Sequence, residues 1–419
     1  MTYPEAIDWL YQLRLLGSKL GLENPRKLAA LAGNPHQSLK IIHVAGTNGK
    51  GSVCAMLESI YRAAGYKTGL YTSPHLVSFR ERIQVNRKPI AEAEVVRLTE
   101  CVQALLRQFP ADQPPTFFEV ITVMALEHFA RERCDIVLLE TGLGGRLDAT
   151  NIATPIASVI TPIALDHQQY LGETLAQIAA EKAGIIKQSI PVFSAPQSSE
   201  ARVVIEKIAA KKNAALTFAD TDTVLPPISL PGEHQKQNAA LTATTARSLD
   251  INETTIRDGL ANAHWPARAQ LWRDGKRQFL FDAAHNPSSM QTLVDILKST
   301  HADQRPAILL GISGEKNWRE MCRLIAPLAG RVMAVPTSSQ KTISPVRIAE
   351  VCGEFCETET AASAAEGLAR LVTEPFVVVA GSIFLVGEVM ERLNASPQPE
   401  TNERGLNEWE MTSGDVSAS

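Results

Sequence analysis

The sequence predicts an α/β protein: a doubly wound, mainly parallel sheet domain, followed by a smaller Rossmann-like α/β domain. Three observations predict it. Short apolar runs bounded by turn residues alternate with segments of helical period. One such run opens directly onto a glycine-rich turn that carries a lysine, and a helix follows. The alternation then pauses and resumes, and 419 residues exceed one ordinary core, since domains usually hold ~100–200 residues.

The first stretch, MTYPEAIDWLYQLRLLGSKLG, carries Glu5 and Asp8 and lacks the basic start and small-residue cleavage site of a secretion signal. It reads as an amphipathic helix. Residues 41–45 read as a buried strand, 52–65 as a helix stopped by a glycine, and 68–72 as a second strand. A helix follows over 120–133, then strands at 136–140 and 156–161. GETLAQIAAEKAGIIK reads as an amphipathic helix. This β-α-β order argues for parallel strands. Strands recur at 279–282, 307–310, 332–335 and 376–380. Between the two series lies HWPARAQLWRDGKRQ, with a proline and much charge, which reads as the junction. The domains are therefore expected at 1–265 and 266–394, with a polar tail over 395–419 expected to be disordered.

Apolar residues make up 45% and charged residues 21%, and the formal net charge is -4. Such a chain has no overall basic excess for nucleic acid or anionic lipid, so any polyanion must be held locally. No apolar run approaches the ~20 residues of a membrane span. Small-molecule partners, a cytoplasmic location and a monomer are the expectations. The six cysteines include no CxxC pair. Cys352 and Cys356, four apart, would be neighbours on one helix face, but no second pair accompanies them, so free thiols are expected rather than zinc.

The strongest signal is IIHVAGTNGKGSVCAML. A strand runs into Gly46, Thr47, Asn48, Gly49, Lys50, Gly51 and Ser52, and a helix follows. Glycines let backbone N–H groups approach an anion, the helix N-terminus adds partial positive charge, and Lys50 adds a full one. It is not the common GxxxxGK[ST] loop, because Val44 takes the first glycine position and Gly51 separates Lys50 from Ser52. GLGG near Gly142 does not fit a dinucleotide fingerprint, since its third glycine is misplaced.

Metal ligands must come from elsewhere. Glu140 ends a parallel strand, at the ligand edge of such a sheet, where it could hold Mg²⁺. His167 follows the next strand and is open to three roles: ligand, base or plain loop residue. Lys182 lies on the alanine-rich helix, and could act at a metal only if neutral or carbamylated.

Together these segments resemble folylpolyglutamate synthase, including its bifunctional dihydrofolate synthase form, within the Mur ligase superfamily. HVAGTNGKGS, GLYTSPHLVSFRERI, TFFEVIT, LLETGLGGRLDATN, ALDHQQYLG, EKAGIIK, HWPAR, DAAHNP and VAGSIFL stand in family order from about residue 41 to 386. The resemblance implies two Mg²⁺ ions and ATP. Asn48, Gly49, Lys50, Gly51 and Ser52 would bind the triphosphate, with Asn238, Arg268 and Asp282 as further nucleotide contacts. Ser73 and Glu140 would hold the first Mg²⁺ and His167 the second, and Lys182 would be carbamylated. Thr116, Phe117, Phe118, Glu119, Leu147, Asp148 and Ala149 fall where the family binds its pteroyl substrate. His285 and Ser382 fall near the glutamate end. The chain departs from the family at Ala269 and Gln270, after HWPAR, and at Phe384.

The implied reaction is ligation of L-glutamate to a folate or dihydropteroate carboxylate through an acyl phosphate, with Lys50, His167 and Lys182 as catalytic groups. A Mur-type ligase of a UDP-linked peptidoglycan precursor shares this chemistry. Such enzymes usually carry a nucleotide-sugar domain ahead of the loop, where about forty residues stand here. A regulatory ATP-binding module would leave TSPH, Glu140, His167 and Lys182 without a purpose.

Overall fold

Strands form where apolar residues run without a polar face, and the runs assemble into two sheets. The computed structural model describes residues 1–15, 17, 21–220, 226–314, 317–396, 399 and 403–408. The first sheet holds β1 (Ile41–Ala45), β2 (Thr68–Tyr71), β3 (Ile83–Val85), β4 (Lys88–Pro89), β5 (Ile136–Glu140), β6 (Ala157–Ile160), β7 (Val192–Ser194) and β8 (Leu216–Phe218). Their order is β4-β3-β2-β5-β1-β6-β7-β8, parallel except for the β2-β3-β4 ribbon. Every residue of β1 is buried. Ile41 packs with Leu10, Leu28 and Phe129 on one face, while Ile42 and Val44 pack with Val53, Leu57 and Ile60 on the other. Alternate residues thus serve two cores, as a parallel sheet covered on both faces requires.

β1 pairs in parallel with both β5 and β6, with Val44 level with Glu140 and Ala45 level with Ile160. The chain passes from β1 to one flank and returns to the other. A crevice therefore opens at the carboxyl ends of β5, β1 and β6.

The second sheet holds β9 (Gln270–Asp274), β10 (Arg277–Phe281), β11 (Ala307–Leu310), β12 (Arg331–Ala334), β13 (Glu357–Thr360) and β14 (Phe376–Ala380). Its order is β13-β12-β11-β14-β10-β9, and only β9 is antiparallel. Apolar clusters cover both faces. One of them takes in Leu76 and Val77, just past β2, beside Phe279, Phe281 and Val386, so the two domains touch through apolar contacts.

The segment read as a junction also contains β9, an edge strand whose Leu271 is 52% exposed and whose other residues bury little, so it shows no core-facing pattern. Two expectations need correction. The helix Pro345–Cys352 ends at the first of the two cysteines, and Cys356 lies in the turn beyond. The tail is not uniformly disordered: Arg404–Asn407 forms a 3-10 turn with Leu406 2% exposed in the first domain's core. The turn RGLN holds a single apolar side chain, Leu406, too little for a periodic signal. Residues 397–398, 400–402 and 409–419 of that tail lie outside the described residues.

Candidate active site

The glycine turn follows from the tightness of the space at the end of β1. Gly46 has φ 152°, and a Cβ there would stand 1.8 Å from Thr161 Oγ1. Gly49, at φ 88°, begins the helix Lys50–Ala63, and its missing Cβ leaves room for Asn238 Oδ1. Asn238 Nδ2 donates to Gln235 Oε1 (3.0 Å), and Gln235 donates to Ser52 Oγ (3.3 Å). The turn and the start of its helix are thus braced by the helix Glu233–Ser248.

Two lysines meet at this turn. Lys50 Nζ donates to the carbonyls of Gly46 and Thr47, both at 3.2 Å. Lys182 Nζ, reaching from the helix Leu175–Ala183, donates to Gly46 O at 2.8 Å. Lys182 is only 4% exposed. Burial first, then the charge of Lys50, pushes its pKa down from 10.5 to about 7.

Glu140 ends β5 beside them, 4% exposed, and its Oε2 accepts the Ser73 N–H at 3.0 Å. Burial raises its pKa, and Lys50, the Ser73 amide, Arg268 and Arg82 act against that rise. Past β6, Asp166 accepts the His167 N–H (2.9 Å). His167 has φ 52° and begins the short helix Gln168–Leu171, with its ring 3.9 Å from Asp166. His285 of the second domain stands 3.9 Å from the other Asp166 oxygen.

The second domain reaches the turn through Asn286. Its side chain caps the helix Pro287–Thr300 and donates to both Asn48 Oδ1 (3.2 Å) and Asp166 Oδ2 (3.1 Å). Asn48 in turn donates to Ser288 Oγ (3.2 Å). Asp282 is buried, bonded by the amides of Ala269 and Ala284 (2.8 Å each). Burial raises its pKa, and Arg268 opposes that most. Arg268 acts on Glu140 of one domain and Asp282 of the other.

The expected pteroyl segment divides by role. Thr116 and Glu119 cap each other at the start of the helix Phe117–Arg131. Phe117 is buried near Phe79. Phe118 is the ring that lies on the glycine loop, where a Cβ on Gly142 would be 2.5 Å from its Cζ. Asp148 is buried and organises that loop, accepting from the Gly142, Leu143 and Thr150 amides. Leu147 is half-buried and Ala149 buried beside it. Ser382 caps the helix Ile383–Arg392 and bonds Ser313 Oγ (2.8 Å). It stands at the strand end next to His285, where Gly381 N–H donates to Ala284 O.

Sequence reasoning left Asp166, Asn286 and Ser288 out of the site. ALDH and HNPSS carried them, but a short polar residue in a loop gives no sign of its partner until the domains meet. Among the described residues, no three acidic, histidine or cysteine side chains cluster as a metal cage. A carboxylate with a neighbouring serine, facing a phosphate loop, fits Mg²⁺, which takes one or two protein oxygens and fills its remaining positions with phosphate oxygen and water.

Two family patterns match the chain: the Mur ligase middle domain over residues 44–224 and the Mur ligase glutamate ligase domain over residues 267–383. The dihydrofolate synthase/folylpolyglutamate synthase of Bacillus subtilis is 34% identical over 78% of this chain and 84% of its own. That of Escherichia coli is 34% identical over 93% and 95%. In three dimensions, folylpolyglutamate synthase from Mycobacterium tuberculosis, solved with ADP and AMPPCP, superposes with TM-score 0.86 at 28% identity, over 94% of this chain and all of that one. Escherichia coli FolC in complex with DHPP and ADP superposes with TM-score 0.83 at 30% identity, over 94% and 98%.

Proposed function

Because the chain belongs to the Mur ligase family, among its folylpolyglutamate/dihydrofolate synthases, we propose that it uses ATP to join L-glutamate to a folate or dihydropteroate carboxylate through an acyl phosphate. The observation that carries this reading is the meeting of Lys50, Lys182 and the Glu140–Ser73 pair around one glycine turn.

A carboxylate is a poor acylating agent because hydroxide leaves badly, and phosphorylation gives it a better leaving group. The carboxylate oxygen attacks the γ-phosphorus, ADP departs, and the acyl phosphate forms. The glutamate amine then attacks the carbonyl carbon, losing a proton, and phosphate leaves. Two anions must approach in the first step, so positive charge has to surround them. Lys50, Arg268 and the amides of Gly49, Gly51 and Ser52 supply part of it, and Asn48, Asn238 and Asp282 serve as further nucleotide contacts. Mg²⁺, when bound, would neutralise triphosphate charge, with Ser73 and Glu140 as ligands of one ion and His167 of a second.

Lys182 has the chemistry of a carbamylation site. An amine with a pKa of about 7 is substantially neutral at neutral pH, so it can add to CO₂ and release a proton. The product would replace a cation with an anion beside the metal positions. Phe118 offers a face to a flat heterocycle, with Leu147 and Ala149 beside the loop that Asp148 shapes. His285 and Ser382 would serve the glutamate end of the site. The second domain, held at Asn286, shields the acyl phosphate from water.

Phosphate release tests this reading. With ATP, Mg²⁺ and glutamate, release is expected to require dihydropteroate or tetrahydrofolate. Comparing the two acceptors assigns the synthase form. Release with a UDP-muramoyl acceptor instead would overturn it.

A further inference from the structure

We propose that the C-terminal segment Glu403–Glu408 positions the Ser73 loop, with Glu403 and Asn407 as positioning residues for the reaction. Glu403 is 1% exposed, although the sequence around it, NERGLNEWE, is polar. A carboxylate is costly to bury without partners. Here Tyr3 Oη (2.9 Å), Ser78 Oγ (2.9 Å) and the Phe79 amide donate to it.

What it holds is the segment beyond the Ser73–Glu140 bond. Arg82 Nε donates to His75 Nδ1 (2.8 Å), so that nitrogen is an acceptor and the other carries the proton. His75 Nε2 therefore donates to the Glu403 carbonyl (3.0 Å). Asn407 completes the clasp: its Nδ2 donates to the His75 carbonyl (2.8 Å), and its Oδ1 accepts from Arg82 Nη2 (2.7 Å). His75 is thus fixed at its ring and its backbone, two residues from Ser73.

The same segment grips the second domain. Arg404 pairs with Glu391 at the end of the helix Ile383–Arg392, and Glu408 accepts the Gln340 amide (2.7 Å). That helix lies directly on the held loop, since a Cβ on Gly387 would be 2.1 Å from Leu76 O. The loop also has its own local brace: Glu81 accepts the amides of Leu76, Val77 and Ser78. Weakening the clasp should therefore shift the loop rather than unfold it.

The inference rests on Ser73 and Glu140 being magnesium ligands. Glu403→Gln and Asn407→Ala, in the full chain, are compared with wild type by ADP titration calorimetry, with Mg²⁺ and with EDTA, and by amide exchange over residues 73–82. Lost support behind a metal ligand typically costs about tenfold or more in metal affinity. The magnesium needed for half-maximal strengthening of ADP binding should rise about that much in both variants. ADP affinity in EDTA should stay at the wild-type value, and exchange over 73–82 should quicken. Asn407→Ala leaves the Glu403 carboxylate intact, so it reports even if Glu403→Gln folds poorly. Wild-type magnesium response and exchange in Asn407→Ala would overturn the clasp alone. No magnesium response in wild type would overturn the metal reading beneath it.

Discussion

At Lys182, burial and the neighbouring charge of Lys50 act on one side chain. Its folded pKa, about 7, lies below that of an exposed lysine, so the unfolded chain binds the proton more readily between about pH 7 and 10.5. The cost to the fold is full below pH 7 and lifts as pH rises through that window. Lys182→Met removes the charge, so its melting temperature should exceed wild type at pH 6, and the gap should narrow by pH 9. An equal gap at both values would mean that Lys182 is not a strained cation. Lys182→Ala should lose most activity, and wild-type activity should fall in CO₂-free buffer and return with bicarbonate. Gly142→Ala would push its Cβ into Phe118. The KM for the pteroyl acceptor should then rise severalfold while that for ATP holds. Lys50 and Glu140 were legible in the sequence because one sits in the glycine turn and the other at a strand end, whereas the role of Lys182 entered only through the family resemblance, since its helix meets the turn 136 positions away. Asp166 and Asn286 were not legible, because 120 positions separate them and only the packing of two domains joins them.

At the scale of elements, the capping box of the helix Phe117–Arg131 separates two accounts of Thr116. As a cap, Thr116→Ala should cost about 1 kcal/mol and lower the melting temperature by a few degrees with acceptor KM unchanged. A raised acceptor KM at an unchanged melting temperature would make Thr116 a substrate contact instead. Elements were legible where burial was complete, as in β1, β5 and β14, whose residues are apolar almost throughout. β9 escaped because an edge strand buries too little to leave a pattern. Cys352 and Cys356 misled because spacing alone does not say where a helix stops, and this one stops at the first of them.

On the scale of the whole molecule, the proposed reaction would need the second domain to close over the glycine turn. Asn286 spans the seam to both Asn48 and Asp166. Asn286→Ala should leave ADP affinity near wild type and lower the ligation rate about tenfold. It should also raise phosphate release without glutamate, as water reaches the acyl phosphate. Unchanged coupling of hydrolysis to ligation would mean that this contact does not seal the site. Among the described residues no helix is long and apolar enough to cross a membrane. The two-domain plan was visible in the sequence as two series of β-α alternation. The apolar contact of Leu76 and Val77 with the second domain was not, because a buried pair in a loop reads like any other short apolar run.

The most direct test of acyl-phosphate chemistry follows oxygen. With the acceptor's reacting carboxylate labelled with ¹⁸O, each ligation should deliver one labelled oxygen to the released phosphate. Phosphate free of label, with normal amide formation, would contradict attack by that carboxylate on ATP.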